Sequence, residues 1–335
     1  MRCMHHITAA VLAALCISGA NAAETCSLTP VASVPIDIAP DGLIFVNAEI
    51  NQKPVKLRLE LARGSSYLSD SLAKSLDLTD RGGKGTNTAR IEEDGGIIRF
   101  DVHLNQVKLG KLVRNEVTAG VIEHLEGTDG TIGSQWLGGY DIEINPLGHV
   151  INMFLPDHCP GQGVYWADSF FTIDSINDPV RQPPLTEVML DGKVVRARLD
   201  TGKSVTTLAA AAARDLFDLT AENAGSPTKE VLGITGGSIV SFDHVFGALE
   251  FGGLTFKDKK VAVTEFTHFR RAVLGTSLPD ADNSAARRQL LLGMDVIGRL
   301  RTYIASKEQK IYFTLAADDK TTAAAEPPKG ASSIH

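Results

Sequence analysis

Apolar and polar residues alternate in short runs along most of this chain, and turn residues separate the runs. An alternation with a period of two predicts many short β-strands that each bury one face. The pattern occurs twice: residues 55–79 and 194–220 both contain an apolar strand, a small-residue turn, a hydroxyl-rich strand and a short helical stretch ending in Asp-Leu-Thr. The two segments align with an offset of 140 residues, which predicts two lobes with the same local fold.

A second pair of similar segments lies further along each half. Gly133, in TIGSQWL, aligns with Gly293, in LLLGMDVI, at an offset of 160 residues. The larger offset fits a polar insertion at residues 268–289. Tight hairpins are predicted before the first pair of segments, with Asn-Gln at the turn 51–52 and Asp-Gly at the turn 191–192.

These repeats predict the fold class and the domain organisation. We expect an all-β protein, mainly strands with a few short helices, built from two related barrel-like lobes. The N-terminal lobe spans residues 27–158, the C-terminal lobe spans residues 180–316, and a connector with proline and glycine, 159–179, joins them. Residues 317–335 contain few large apolar side chains and are predicted to be disordered.

The start of the chain predicts export. Residues 1–22 contain a short basic start, an apolar run and an Ala-Asn-Ala site, which is the pattern of a secretory signal peptide. The protein is therefore predicted to be periplasmic or secreted. No later segment has the roughly 20 apolar residues that span a bilayer, so no membrane anchor is predicted. In an oxidising compartment the remaining cysteines, Cys26 and Cys159, are predicted to form one disulfide, with two free thiols as the alternative.

Charge and motif content exclude several function classes. The formal net charge of −7 is spread as single charges, so the sequence has no basic stripe for nucleic acid. The histidines after residue 22 lack the spacing of metal ligands, and we expect them at the surface or in turns. Neither a Gly-x-Ser-x-Gly motif nor a cysteine placed with a histidine partner is present. No metal or other cofactor is predicted, and serine and cysteine hydrolases lack support.

The segment RARLDTGKSVTTL, residues 196–208, carries the most specific chemical signal and fits two motifs. Its Gly-Lys-Ser part comes close to a phosphate-binding loop, but Ala197 stands at the first glycine of that motif. The intervening residues lack the glycines that direct backbone amides at a phosphate, and Asp200 would repel the anion. The matched segment of the first half has no Gly-Lys-Ser, so the nucleotide hypothesis lacks support.

The other motif is Asp-Thr-Gly at the end of an apolar strand. A Gly-rich hairpin, GITGG at 233–237, and the apolar segment LLLGMDVI follow it in that order. With these motifs, residues 40–315 resemble the aspartic proteases of the retropepsin and pepsin class. The resemblance implies an endopeptidase that cleaves an extended peptide or protein substrate in a cleft between two lobes.

The resemblance also implies roles for particular residues. Asp200 would be a catalytic carboxylate that activates water, and the Thr201 hydroxyl would brace the loop between the lobes. Gly202 would let the backbone approach the carboxylate. Gly236 and Gly237 would lie in the flap that closes over the peptide and bonds its main chain.

The first lobe departs from the family pattern. Glu60-Leu61-Ala62 stands where a second Asp-Thr-Gly is expected. Glu60 keeps the acid, and two adjacent carboxyl groups that share one proton act as base toward water and as acid toward the leaving nitrogen. The extra methylene of Glu60 shifts its carboxylate, and Leu61 has no bracing hydroxyl. Cations at the matched positions Arg63 and Lys203 are expected to favour ionised carboxylates, which opposes a shared proton.

Three hypotheses about function therefore stay open. In the first, Glu60 and Asp200 form the working dyad of an aspartic endopeptidase. In the second, Glu60 is exposed or paired with Arg63, and the protein binds peptides without cleaving them. In the third, two chains pair their second lobes so that Asp200 meets its symmetry mate. The protein is accordingly predicted to be a monomer or a homodimer.

Overall fold

The computed structural model describes residues 27–78, 90–91, 97–122, 125, 127–176, 185–232, 238–264 and 289–316. The signal segment, Cys26, the flap glycines Gly236 and Gly237 and the predicted tail lie outside these ranges. Within the ranges, no helix is long and apolar enough to cross a membrane. No group of three or more His, Cys, Asp or Glu side chains within them is arranged to hold a metal ion.

Short strands make up most of both halves. The elements of the first half are β1 (Pro30–Ile38), β2 (Ile44–Ile50), β3 (Lys53–Leu59), β4 (Tyr67–Ser69), α1 (Asp70–Ser75), β5 (Arg90–Ile91), β6 (Ile97–Leu109), β7 (Leu112–Ile122), β8 (Gly130–Ile132), α2 (Ser134–Leu137), β9 (Asp141–Asn145) and β10 (Val150–Phe154). The elements of the second half are β11 (Phe171–Asp174), β12 (Leu185–Leu190), β13 (Lys193–Leu199), β14 (Thr207–Ala209), α3 (Ala210–Phe217), β15 (Lys229–Leu232), β16 (Ser238–Phe251), β17 (Leu254–Thr264), β18 (Gln289–Leu292), α4 (Met294–Ile297), β19 (Leu300–Ala305) and β20 (Lys310–Leu315).

Six strands of each half close into a barrel. The first barrel has the order β2-β3-β8-β4-β7-β6, and β6 pairs back with β2. The second has the order β12-β13-β18-β14-β17-β16, and β16 pairs back with β12. The matched strands β3 and β13 have the same succession of buried and exposed positions, because alternate side chains point into the barrel. The predicted all-β fold with two related barrel-like lobes is confirmed.

Tight turns set the register of the two matched hairpins. Asn51 and Gln52 have φ angles of 48° and 69°, and Asp191 and Gly192 have φ angles of 45° and 74°. A left-handed backbone at both central residues is the type I′ turn, whose twist suits a two-residue hairpin. These turns connect β2 to β3 and β12 to β13, as the sequence predicts.

A third sheet joins the lobes. Its strand order is β11-β20-β19-β9-β10-β1, with every pair antiparallel, and each half of the chain contributes three strands. The central pair is β9 with β19, in which Glu143 lies opposite Tyr303. One apolar cluster runs from the first barrel through this sheet to the second barrel, so the two lobes share a core.

The joining sheet also buries a polar cluster. Asp141 accepts hydrogen bonds from the backbone amide of Ser306 at 2.7 Å and from its hydroxyl at 2.6 Å. The other oxygen of Asp141 lies 2.6 Å from Nε2 of His158 and accepts a bond from the Tyr303 hydroxyl at 3.2 Å. The His158 side chain has no exposed surface. His158 lies in a bend between β10 and β11, and its side chain is buried against Asp141.

Candidate active site

The two predicted acids occupy equivalent positions. Glu60 directly follows β3, and Asp200 directly follows β13. The Glu60 amide donates to the Ile132 carbonyl at 2.9 Å, and the Asp200 amide donates to the Leu292 carbonyl at the same distance. Glu60 is 3% exposed and Asp200 is 6% exposed. Each lobe thus presents one buried acid at the end of the matched strand.

The loops that follow the acids are held by the second repeated segment. The Ser134 amide donates to the Arg63 carbonyl, and the Met294 amide donates to the Lys203 carbonyl, both at 2.8 Å. A Cβ on Gly293 would lie 2.5 Å from the backbone of the loop, so only glycine fits there. In the second lobe this loop continues into β14, whereas a phosphate-binding loop leads into a helix.

Thr201 joins the two loops across the lobe interface. Its hydroxyl donates to the Leu59 carbonyl at 2.8 Å and accepts a bond from the Leu61 amide at 3.1 Å. Thr201 has no exposed surface, so both bonds are shielded from water. The equivalent residue in the first lobe is Leu61, whose side chain has no hydroxyl to return the contact. The side-chain bracing therefore comes from the second lobe.

The carboxyl groups of Glu60 and Asp200 both lie beside Gly202. Its amide donates to Oδ1 of Asp200 at 2.9 Å. A Cβ on Gly202 would lie 2.7 Å from Cγ of Glu60, 3.1 Å from its Cδ and 3.2 Å from Oδ1 of Asp200. Gly202 is not among the residues with a positive φ, so the position requires the missing Cβ rather than unusual backbone freedom. Both carboxyl groups border the same small space.

Two arginines engage Glu60. Nε of Arg58 donates to Oε1 of Glu60 at 2.8 Å, and Nη2 of Arg58 bonds the same oxygen. Nε of Arg63 forms an ion pair with Oε2. Burial by itself would raise the pKa of Glu60, but the positive charges of Arg63 and Arg58 outweigh burial and hold this pKa below its usual range. Glu60 therefore gives up its proton at a lower pH than an ordinary glutamic acid.

Asp200 is shifted in the opposite direction. Burial raises the pKa of Asp200, Lys203 opposes the rise, and the negative charge of Glu60 adds to it. Lys203 does favour the ionised form of Asp200, but the loss of hydration outweighs this attraction, so the pKa of Asp200 is raised overall. Burial also lowers the pKa of Lys203 itself. Asp200 retains its proton to a higher pH than an ordinary aspartic acid.

This pairing of states has a direct chemical meaning. Two titratable groups whose environments push their pKa values apart divide the roles of base and acid between them. An ionised carboxylate can accept a proton from water while a neighbouring carboxylic acid donates one to a carbonyl oxygen. The interface between the lobes therefore holds both groups that acid–base hydrolysis needs.

Three other predicted site residues, Cys26, Gly236 and Gly237, lie outside the described part of the chain. Cys159 is disulfide-bonded, and because Cys26 lies outside the described residues their pairing stays a prediction. Arg58 is a partner of Glu60 that was not predicted from the sequence. A signal was present, because residues two apart on a strand project from the same face.

Comparison with known proteins agrees with this architecture. The aspartyl protease family matches residues 46–136 and 186–296. The matched segments start 140 residues apart and end 160 residues apart, which are the two offsets between the repeated halves. Two matched barrels that each present an acid at their interface define a two-lobed protease of the aspartic class. This chain belongs to the aspartyl protease family.

One solved structure adds a more distant similarity. A retropepsin-like aspartic protease from Rickettsia conorii is 17% identical, and the match covers 38% of this chain and 96% of that chain with a TM-score of 0.31. The comparison with curated proteins found no match.

Proposed function

We propose that this protein is an aspartic endopeptidase that cleaves extended peptides with a Glu60/Asp200 dyad in the cleft between its lobes. One observation carries the proposal: both carboxyl groups border the position of a Gly202 Cβ, and their pKa values are displaced in opposite directions. A pair with one proton is the starting state that this chemistry requires.

The reaction follows from that starting state. Ionised Glu60 takes a proton from a water molecule while the water oxygen attacks the scissile carbonyl carbon, and Asp200 gives its proton to the carbonyl oxygen. The product is a neutral diol, with Glu60 protonated and Asp200 ionised. Asp200 then removes a hydroxyl proton as the carbonyl re-forms, and Glu60 protonates the leaving nitrogen as the C–N bond breaks. Both acids return to their initial states.

A second function has one specific observation in its favour. Both oxygens of Glu60 are engaged by guanidinium groups, which reduces the basicity of the carboxylate. A protein with this arrangement would retain a cleft for peptides without cleaving them. Peptide binding without hydrolysis is therefore the alternative that an experiment has to separate from catalysis.

Substrate cleavage by matched variants separates these functions. Purified mature protein is incubated with an unfolded protein substrate from acidic to neutral pH, beside Asp200→Asn and Glu60→Gln. We expect cleavage by the wild type and its loss in both variants. Equal cleavage by wild type and Asp200→Asn would end the proposed mechanism. Loss in Asp200→Asn alone would indicate a single-acid or dimeric site, and substrate binding without any cleavage would indicate the peptide-binding function.

We also propose that the protein acts in the periplasm or outside the cell. The disulfide at Cys159 supports this location, because disulfides persist in oxidising compartments. Fractionation of cells that produce the full chain, with thiol labelling before and after reduction, tests the proposal. Reduced cysteines in a cytoplasmic fraction would contradict it.

A further inference from the structure

We infer that Arg58 and Arg63 are positioning residues that make Glu60 the base of the dyad and leave the role of acid to Asp200. The inference rests on the proposed function and goes beyond it, because it assigns the two roles to particular lobes and names the residues that divide them.

The contacts of Glu60 fix its carboxylate from both ends. Arg58 approaches Oε1 with Nε at 2.8 Å and with Nη2, and Arg63 approaches Oε2 with Nε. A glutamate has one more side-chain torsion than an aspartate, and a catalytic group has to be held within roughly 0.5 Å. Two hydrogen bonds from Arg58 to Oε1 restrict that additional torsion, and Arg63 holds Oε2 by an ion pair without hydrogen-bond geometry.

The arginines are themselves held in place. Both side chains are 16% exposed, so each charge acts from a largely buried position. The Arg63 amide donates to the Glu60 carbonyl at 3.0 Å, and the Arg63 guanidinium lies 5.3 Å from the centre of the Tyr67 ring. These contacts stabilise the loop on which the ion pair depends.

The second lobe has cations at the same positions but uses them differently. Arg198 and Lys203 match Arg58 and Arg63. Nε of Arg198 has no hydrogen-bond partner in the part of the chain that the structure describes, and the described bond to the Asp200 carboxyl comes from the Gly202 amide. Aspartate is one methylene shorter than glutamate. The longer side chain in the first lobe thus reaches the strand arginine, and the shorter one in the second lobe does not.

This asymmetry explains why a glutamate suits the first lobe. Glutamate at position 60, where the family pattern has aspartate, makes the side chain long enough for its carboxylate to bind Arg58. The negative charge is thereby kept on the first lobe, while burial keeps the proton on the second lobe. Replacement of Arg58 in the first lobe should therefore impair catalysis, whereas replacement of the matched Arg198 in the second lobe should not.

The pH dependence of cleavage tests the inference. Profiles of kcat and kcat/KM are measured for the wild type, Arg58→Gln, Arg63→Gln, Arg58→Lys and the matched control Arg198→Gln, with thermal unfolding as a check on folding. The acid limb of kcat/KM reports the base of the free enzyme. We expect both glutamine variants to shift this limb to higher pH, and kcat to fall by about 10²-fold, as a misplaced catalytic group produces. Arg58→Lys should shift the limb less than Arg58→Gln because it keeps the positive charge. Arg198→Gln should leave the limb in place.

Two results would overturn the inference. The first is a loss of activity in Arg58→Gln and Arg63→Gln that is equal at every pH, which is the mark of a structural role. The second is an equal shift in Arg198→Gln. Failure of the proposed function is distinguishable, because cleavage would then be absent from the wild type or insensitive to Glu60→Gln and Asp200→Asn.

Discussion

The backbone amide of Leu61 in the first lobe donates to the Thr201 hydroxyl of the second lobe at 3.1 Å. The same hydroxyl donates to the Leu59 carbonyl at 2.8 Å. One side chain thus bonds the first-lobe backbone on both sides of Glu60. The distance between the two acids depends on this contact, because each acid is adjacent in sequence to a residue of the link.

Removing the hydroxyl should loosen this link. Thr201→Val keeps the shape of the side chain but leaves a buried amide and a buried carbonyl without their partner. We expect a loss of about 1–3 kcal/mol in the free energy of unfolding, measured in urea, together with a lower kcat. Thr201→Ser retains the hydroxyl and serves as the control. A Thr201→Val variant with wild-type stability and activity would show that the link does not position the acids.

A side chain at residue 202 should displace Glu60. A Cβ there would lie 2.7 Å from Cγ of Glu60, which is too close for any unstrained arrangement. We expect Gly202→Ala to lose cleavage activity by about 10²-fold or more, because the carboxylate must move. Ala62→Gly, the matched change in the first lobe, should cost no more than about 1 kcal/mol in stability. Comparable activity losses in the two variants would contradict this role of Gly202.

The two acids should affect stability with opposite signs. The pKa of Glu60 is lowered in the folded protein, so its ionisation stabilises the fold above about pH 4.3, and the contribution disappears as the pH falls through the folded value. The pKa of Asp200 is raised, so the folded state loses stability relative to the unfolded chain as the pH rises from about 3.9 to the folded value. At neutral pH Glu60→Gln should therefore be less stable than the wild type, and Asp200→Asn more stable.

Chemical unfolding at two pH values checks this prediction. The stabilisation in Asp200→Asn should shrink below about pH 4, where the unfolded acid is also protonated. The loss in Glu60→Gln should shrink over the same range. If both variants change the free energy of unfolding in the same direction at neutral pH, the two acids do not hold opposite ionisation states.

His158 should make the contact between the lobes sensitive to pH. Burial lowers its pKa, but the hydrogen bond to the Cys159 carbonyl and the pairing with Asp141 and Glu308 outweigh burial, so the pKa is raised overall. The stabilisation is therefore complete below about pH 6.5 and is lost as the pH rises through the folded value. Tyr303 and Asp157 also face this cluster, and the pKa of Tyr303 is raised by burial.

The matched experiment compares the wild type with His158→Gln. The difference in unfolding free energy should be larger at pH 6 than at pH 9, because only the wild type carries a titratable group at this position. His149 lies in a turn after β9, and His149→Gln serves as the control. A difference that does not change with pH would exclude the His158 cation as the source of stability.

The sequence was informative where local patterns decide the structure. Alternating apolar and polar side chains predict strands such as β3 and β13. The pairs Asn-Gln and Asp-Gly predict tight turns, and all four residues have the positive φ angles of such turns. The repeat predicts that Glu60 and Asp200 end equivalent strands. These features depend on neighbours in the chain, and the structure retains each of them.

Contacts between distant segments were outside the reach of these patterns. The period of a strand does not specify its partner, so the pairing of β9 with β19 could not be predicted. Glu143 would be expected at the surface on its charge, yet it is fully buried because Arg301 bonds its Oε1 at 2.7 Å from the other half of the chain. Whether the pKa of Asp200 is raised or lowered likewise depends on how deeply the fold buries the side chain, and no local motif encodes that depth.

The opposite ionisation of Glu60 and Asp200 is most directly measured by a pH titration of their carboxyl carbons. ¹³C NMR of the intact protein can follow both groups, with Glu60→Gln and Asp200→Asn providing the assignments. We expect Glu60 to stay ionised to a lower pH than a free glutamic acid and Asp200 to keep its proton to a higher pH than a free aspartic acid. Two ordinary titrations, or a Glu60 that takes the proton while Asp200 ionises, would contradict the dyad.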